Sequence, residues 1–178
     1  MGLRACGVVV LSVAAGLWIV SGTQREKPVL AATAFEAVRA LEATAAARPD
    51  DLEAARALAQ AYLDARQPGL AVALLQAAPA AIKADLRVRH VYARALVDEG
   101  RNDEALAVEG QVIASCGPVV DAAPAPTGCD PVLLASAMRR ADILRELVRM
   151  GVRDTLAHPE MSQVAYQNAT REARVTVQ

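Results

Sequence analysis

Apolar residues along this chain follow two regimes. Ala5 to Gly22, "ACGVVVLSVAAGLWIVSG", is an uncharged run of 18 residues with no polar face. From Ala32 onward apolar residues instead recur every three or four positions between charged ones, the pattern of helices that hide one face. Breakers and caps divide this second regime. Asp50 or Asp51 can cap "LEAARALAQAYLDA", Pro68-Gly69 breaks before "LAVALLQAA", Pro79 ends it, and Asn102 or Asp103 can cap the helix after Gly100. The pattern predicts five consecutive helices over Ala32 to Ser115, one leading helix and then two antiparallel hairpins. Beyond them, Asp130-Pro131 reads as a cap and first-turn proline. Leu134, Ala137, Met138, Ala141, Leu144 and Val148 form an apolar stripe ending at Gly151, and a weaker helix from about Pro159 carries Val164, Tyr166 and Ala169.

The two hairpins repeat. A shift of 34 residues places Leu52 on Leu86, Leu58 on Tyr92, Ala59 on Ala93, Tyr62 on Leu96 and Ala71 on Ala105. A period of this size marks stacked supersecondary units. With these spacings the region resembles the tetratricopeptide repeat family, whose pattern runs W-x2-L-G-x2-Y, then A-x3-F, then P. Ala55, Leu58, Ala59, Tyr62, Ala71 and Leu75 match in the first unit; Arg89, Tyr92, Ala93, Leu96 and Ala105 match in the second. Glu109 stands where the second unit should carry an aromatic, and Pro118 is one residue late. Upstream, Ala37, Leu41 and Pro49 match the tail of a half unit. The physics agrees with the resemblance, because small residues at Ala59, Ala71, Ala93 and Ala105 let antiparallel helices approach closely. The expected fold is an all-α hairpin solenoid of about two and a half repeats. Such stacks need about three repeats to close a core, so the helices of 130–178 are expected to cap the far end.

The first regime is a targeting segment. Its length meets the lower limit for a membrane-spanning helix, Trp18 suits an interfacial anchor, and Arg4 precedes it on the side kept in the cytoplasm. It reads as an uncleaved single-pass anchor over residues 1–22, with cleavage near Val20-Ser21-Gly22 and secretion as the alternative. Either way the remainder is exported, to the periplasm or an extracytoplasmic space of a bacterial cell, after a linker over 23–31. Cys6 lies at the start of the apolar run, whereas a lipid-attachment signal would put it after the run.

Composition adds little beyond this. A chain that is 54% hydrophobic but only 3% aromatic favours close-packed helices, and a net charge of -1 gives no general attraction to nucleic acid or anionic lipid. Cys116 and Cys129 bound a Pro- and Gly-rich loop, 116–129. In an exported chain they are expected to form a disulfide that closes a loop of about 15 residues, contributing on the order of 3 kcal/mol. Zinc is the weaker alternative, since neither His90 nor His158 is near in sequence.

Chemistry-bearing motifs are absent from the sequence. There is no HExxH, no phosphate-cradling glycine loop and no GxSxG, and the acid pairs Asp50-Asp51 and Asp103-Glu104 fall at helix starts, where the helix dipole accounts for them. No enzymatic activity, cofactor or metal is expected. The resemblance implies instead that the first helix of each hairpin lines a concave binding face. Helical spacing puts Glu53, Arg56 and Gln60 on that face of one helix and Arg87, His90 and Arg94 on that of the next. The expected peptide-binding set is Arg56, Gln60, Arg87, His90 and Arg94. Its three arginines are suited to an acidic or C-terminal carboxylate-bearing segment of a protein partner. The likeness to the family's carboxylate clamp is loose, because Val91 occupies a polar clamp position. A solvated face balanced by Glu53, Asp64 and Asp98 is the competing reading. The functional expectation is a membrane-tethered, exported adaptor for protein–protein interaction, with assembly of an envelope complex as the analogy. A self-capped structural domain and a regulatory subunit of an envelope enzyme complex are the alternatives.

Overall fold

The structure is a computed structural model that describes residues 32–117 and 129–175. The expected anchor and linker lie outside the described residues. Among those described, eight helices and no strands occur, and no helix is long and apolar enough to cross a membrane. They are α1 (Ala32–Ala47), α2 (Leu52–Asp64), α3 (Pro68–Ala77), α4 (Ala80–Ala84), α5 (Leu86–Asp98), α6 (Asn102–Ser115), α7 (Pro131–Arg149) and α8 (Pro159–Val175).

The repeat is visible in the signals that start and stop helices. Asp51, Asp85 and Asp130 each precede a hairpin's first helix, and each side chain accepts from the backbone N–H three residues on, at Ala54, Val88 and Leu133. The same helices end on a left-handed residue, Arg66, Gly100 or Gly151. There Gln67, Arg101 and Val152 donate their backbone N–H to the carbonyls of Tyr62, Leu96 and Leu147, at 2.8, 2.8 and 2.9 Å. This is the Schellman arrangement, which satisfies carbonyls that the helix end would otherwise leave unpaired.

Stacking follows from those turns. Pairs α2–α3, α5–α6 and α7–α8 are antiparallel-type hairpins joined end to end. The second helix of each of the first two, α3 and α6, packs on the first helix of the next, α5 and α7. First helices also adjoin one another, α2 beside α5 and α5 beside α7, while α1 packs on α2 as the half unit would. Ala59, Ala71, Ala93 and Ala105 are all 0% exposed, so the aligned small residues do sit at the close approaches. One core runs from Val38 through Leu58, Leu96 and Leu144 to Ala165. A second, of Leu86, Val112, Cys116, Leu133 and Ala137, lies where α5, α6 and α7 meet.

Three expectations are corrected. Residues 32–115 hold six helices, because Pro79 cannot continue α3 and the chain resumes as the short α4. The helices after Asp130 lie against the second hairpin, where the cap is expected, and are placed on α6 as α5 is placed on α3, so that they form a third hairpin. Neither Asn102 nor Asp103 caps α6: Arg101 is the flanking residue and makes no side-chain capping bond, its guanidinium donating instead to the Glu104 carboxylate, and Asn102 is buried, donating its Nδ2 to the Val152 carbonyl at 2.9 Å. The buried stripe of α7 is Leu133, Ala137, Ala141, Leu144 and Leu147, leaving Met138 49% exposed; on α8, Ala165 and Ala169 are buried while Val164 and Tyr166 face outward. Both helices turn their alanines inward, and small side chains at those positions permit close packing.

Candidate functional site

The five residues expected to bind peptide divide into three groups. Arg56 is partly exposed on α2, and its guanidinium donates to Glu53 one turn earlier. Gln60, on the same helix, donates to Asp64 at 2.8 Å, and Asp64 in turn faces Arg94 of α5 at 3.8 Å. Arg56, Gln60 and Arg94 therefore belong to one charged ribbon across the adjoining first helices. Arg87 stands two turns before Arg94 on α5. It donates to Asp130 at 3.0 Å, the residue that caps α7. Asp130 accepts from the Leu133 N–H and from Arg87, and both hold its carboxyl below the usual carboxylate range. Arg87 thus joins the second hairpin to the third, and the three arginines do not converge on one point.

His90 belongs to neither group. Its Nδ1 lies 3.0 Å from Oε2 of Glu109 on α6, and its Nε2 lies 3.0 Å from Oγ of Ser136 on α7. Glu109 is 0% exposed and takes Nη1 of Arg140, from α7, at 2.6 Å on its other oxygen. Arg140 also donates to the His90 carbonyl at 2.8 Å. The departure noticed at Glu109 is therefore the centre of a polar network that joins three helices. A buried carboxylate demands such partners, because leaving its charge unpaired would cost several kcal/mol.

Ser136, His90 and Glu109 are hydrogen-bonded in the order of a nucleophile, base and acid. Two features separate them from an acyl-transfer centre. Ser136 is the sixth residue of α7, beyond the first turn whose N–H groups are free, so its own helix offers no free backbone donors beside its Oγ. Arg140 already neutralises the acid.

At the end of α5 the ribbon carries one more acid. Burial pushes the Asp98 carboxyl above its ordinary range, against the opposing pull of Arg94, then Arg140, then Arg66. Charges of both signs thus alternate along the first-helix face: Glu53, Arg56, Asp64, Arg94, Asp98 and Arg140. Asp64, Asp98 and Glu53 are the balancing acids that the sequence offered, and Glu53 and Asp64 are in contact with Arg56 and Arg94.

Two grooves lie elsewhere. One, of about 360 Å³, is formed by α1, α2 and α3 around Leu58 and Leu74. At its edge Tyr62 of α2 donates to Glu42 of α1 at 2.7 Å, and burial, followed by this carboxylate, raises the Tyr62 hydroxyl to about 12. The other, of about 390 Å³, opens between α3 and α6 over α5. Neither is lined by Arg56, Gln60, Arg87, His90 or Arg94.

Cys116, the cap of α6, and Cys129, next to the cap of α7, form a disulfide with Cα atoms 5.7 Å apart. The bond closes the insertion and fixes the end of the second hairpin to the start of the third.

Residues 34–112, from α1 through most of α6, match the family model described as anaphase-promoting complex, cyclosome, subunit 3. This region is a repeat of the tetratricopeptide type. The tetratricopeptide-type match stops before α7, so the third hairpin rests on its packing and its turn. Comparison with curated proteins and with solved structures gave no match. Repeats of this type characteristically act as protein–protein interaction scaffolds, and that is the general role the findings support here.

Proposed function

We propose that this chain is a membrane-tethered, exported adaptor that binds a polypeptide partner along the first-helix face of its three hairpins and takes no catalytic part. The observation that carries the reading is the ribbon of Arg56, Gln60, Asp64 and Arg94, side chains of two adjoining first helices held by weak, exposed pairs. Such pairs contribute little to stability, so exchanging them for contacts with a partner costs little. Arg87 and His90 are left out of the contact set, since both are committed to holding α7. With charges of both signs on the ribbon, the partner segment should carry both signs as well.

Export and tethering are supported by the uncharged run from Ala5 to Gly22 and by the Cys116–Cys129 bond, a type of link that persists in oxidising compartments. Assembly of an envelope complex is the role that fits an adaptor in that place. The test is affinity capture with the full-length chain in non-ionic detergent from membranes of its source organism. The expected result is a polypeptide retained in near-stoichiometric amount and released as salt is raised. Capture of nothing above a detergent control would overturn the reading. One specific observation favours a second reading, a self-contained structural domain: Arg56 and Arg94 each already face an acid of the same chain.

A further inference from the structure

Among its charged groups the groove between α3 and α6 is lined by cations alone, whereas the first-helix ribbon carries charges of both signs. Its floor is aliphatic, with Leu75 and Val88 buried and Val108 partly so. Around that floor stand two cations, Lys83 of α4 and Arg89 of α5, and no carboxylate lines the groove. Lys83 donates to the Gln76 carbonyl at 3.3 Å and Arg89 to the Lys83 carbonyl at 2.9 Å. Both partners are neutral, so among the described residues neither charge is paired with an acid. On the ribbon, by contrast, Arg56 and Arg94 face Glu53 and Asp64.

The site owes its shape to Pro79. In the second hairpin the second helix continues for 14 residues, but in the first Pro79 stops α3 after 10 and the chain turns through α4. That interruption brings Lys83 to the rim beside Arg89. Gln76 donates to the Tyr92 hydroxyl at 2.9 Å on the same rim and so holds two further polar groups in place.

From this arrangement we infer that the groove binds a carboxylate-bearing peptide end that has an aliphatic side chain beside its acid. The aliphatic group covers Leu75, Val88 and Val108, and the carboxylate lies between Lys83 and Arg89. A guanidinium pairs with a carboxylate through two parallel N–H donors, and an ammonium adds a point charge. At about 390 Å³ the groove is at the small end of ligand pockets, which run from roughly 300 to 1,000 Å³. It suits a chain end better than an extended segment. This inference rests on the proposal that the chain binds polypeptides, but places the carboxylate-reading chemistry away from the ribbon.

The test uses full-length protein in non-ionic detergent and a fluorescein-labelled octapeptide, Gly-Ser-Gly-Ser-Glu-Ala-Leu-Val, with a free C-terminus. Two companion peptides carry a C-terminal amide, or Gln in place of Glu. Fluorescence anisotropy should show saturable binding of the first peptide. Binding should weaken at least about tenfold in Lys83→Ala/Arg89→Ala and in Gln111→Glu, which adds an exposed acid at the rim without touching the core. Arg56→Ala/Arg94→Ala should leave it unchanged. Weakening with the amide identifies the chain end as the source of the carboxylate, and weakening with Gln identifies the side chain; either supports the site. No saturable binding up to millimolar protein would overturn the inference. So would equal binding by all three peptides, or loss in the Arg56/Arg94 variant alone. Membrane capture that survives Lys83→Ala/Arg89→Ala while the peptide fails to bind separates failure of this site from failure of the adaptor reading.

Discussion

Arg66 carries in the first turn the left-handed backbone that Gly100 and Gly151 carry in the other two, with φ of 57° against 79° and 73°. A side chain pays about 1 kcal/mol for this conformation and glycine does not. Arg66→Gly should therefore stabilise the protein by roughly 0.5–1 kcal/mol in urea unfolding, less whatever its attraction for Asp98 contributes. Gly100→Ala should do the opposite. Besides the positive φ, a Cβ there would come within 3.1 Å of the Asp154 carboxyl carbon, from the third turn. A loss of about 1–2 kcal/mol is expected, and a neutral Gly100→Ala would mean that the two turns do not press together as described. The sequence carried Gly100 as a visible stop signal. It could not reveal Arg66 as its equivalent, because only the backbone angle, and not the residue type, marks that position.

Elements are joined by polar contacts that no helical spacing announces. Glu109 was recognisable as a departure from the repeat, but its partners are His90 and Arg140, which lie on α5 and α7. Intervals of 19 and 31 residues have no meaning until the helices are stacked. Asn102 was invisible for a related reason: its amide reads as a cap in sequence, yet it is turned inward to the Val152 carbonyl. Glu109→Ala should lower stability on the order of 3 kcal/mol by leaving Arg140 facing a vacancy, whereas Glu109→Leu/Arg140→Leu should recover much of it. Additive losses across Glu109→Leu, Arg140→Leu and the double variant would show that the pair is uncoupled. The start of α7 supplies a pH test. Because the folded state depresses the Asp130 carboxyl, its contribution is present above the ordinary carboxylate pKa of about 4 and is lost as pH falls through the depressed value. Asp130→Asn should be less stable than the wild type at pH 7, and the difference should shrink as acid protonates Asp130. A constant difference from pH 7 to pH 2 would contradict the linkage.

For the molecule as a whole, the all-helical class, the 34-residue period and the disulfide were legible from spacing, while the number of repeats was not. Asp130 follows Asp85 by 45 residues because the cysteine-bounded insertion shifts the third start signal out of register. α7 then runs for 19 residues against 13 in α5, which displaces the third turn as well. What survives is the order of signals, an aspartate cap, a small-residue stripe and a left-handed turn. Packing, not period, shows that the last two helices continue the stack. A stack of three hairpins closes a continuous core and leaves the first-helix face as an extended surface, the property by which such arrays bind polypeptides. The most direct measurement of that claim is membrane capture repeated with Arg56→Glu/Arg94→Glu, two exposed changes whose fold is checked by circular dichroism. The ribbon account predicts that the retained polypeptide is lost from this variant while the helical signal and melting temperature stay near those of the wild type. Undiminished capture by the folded variant would contradict it.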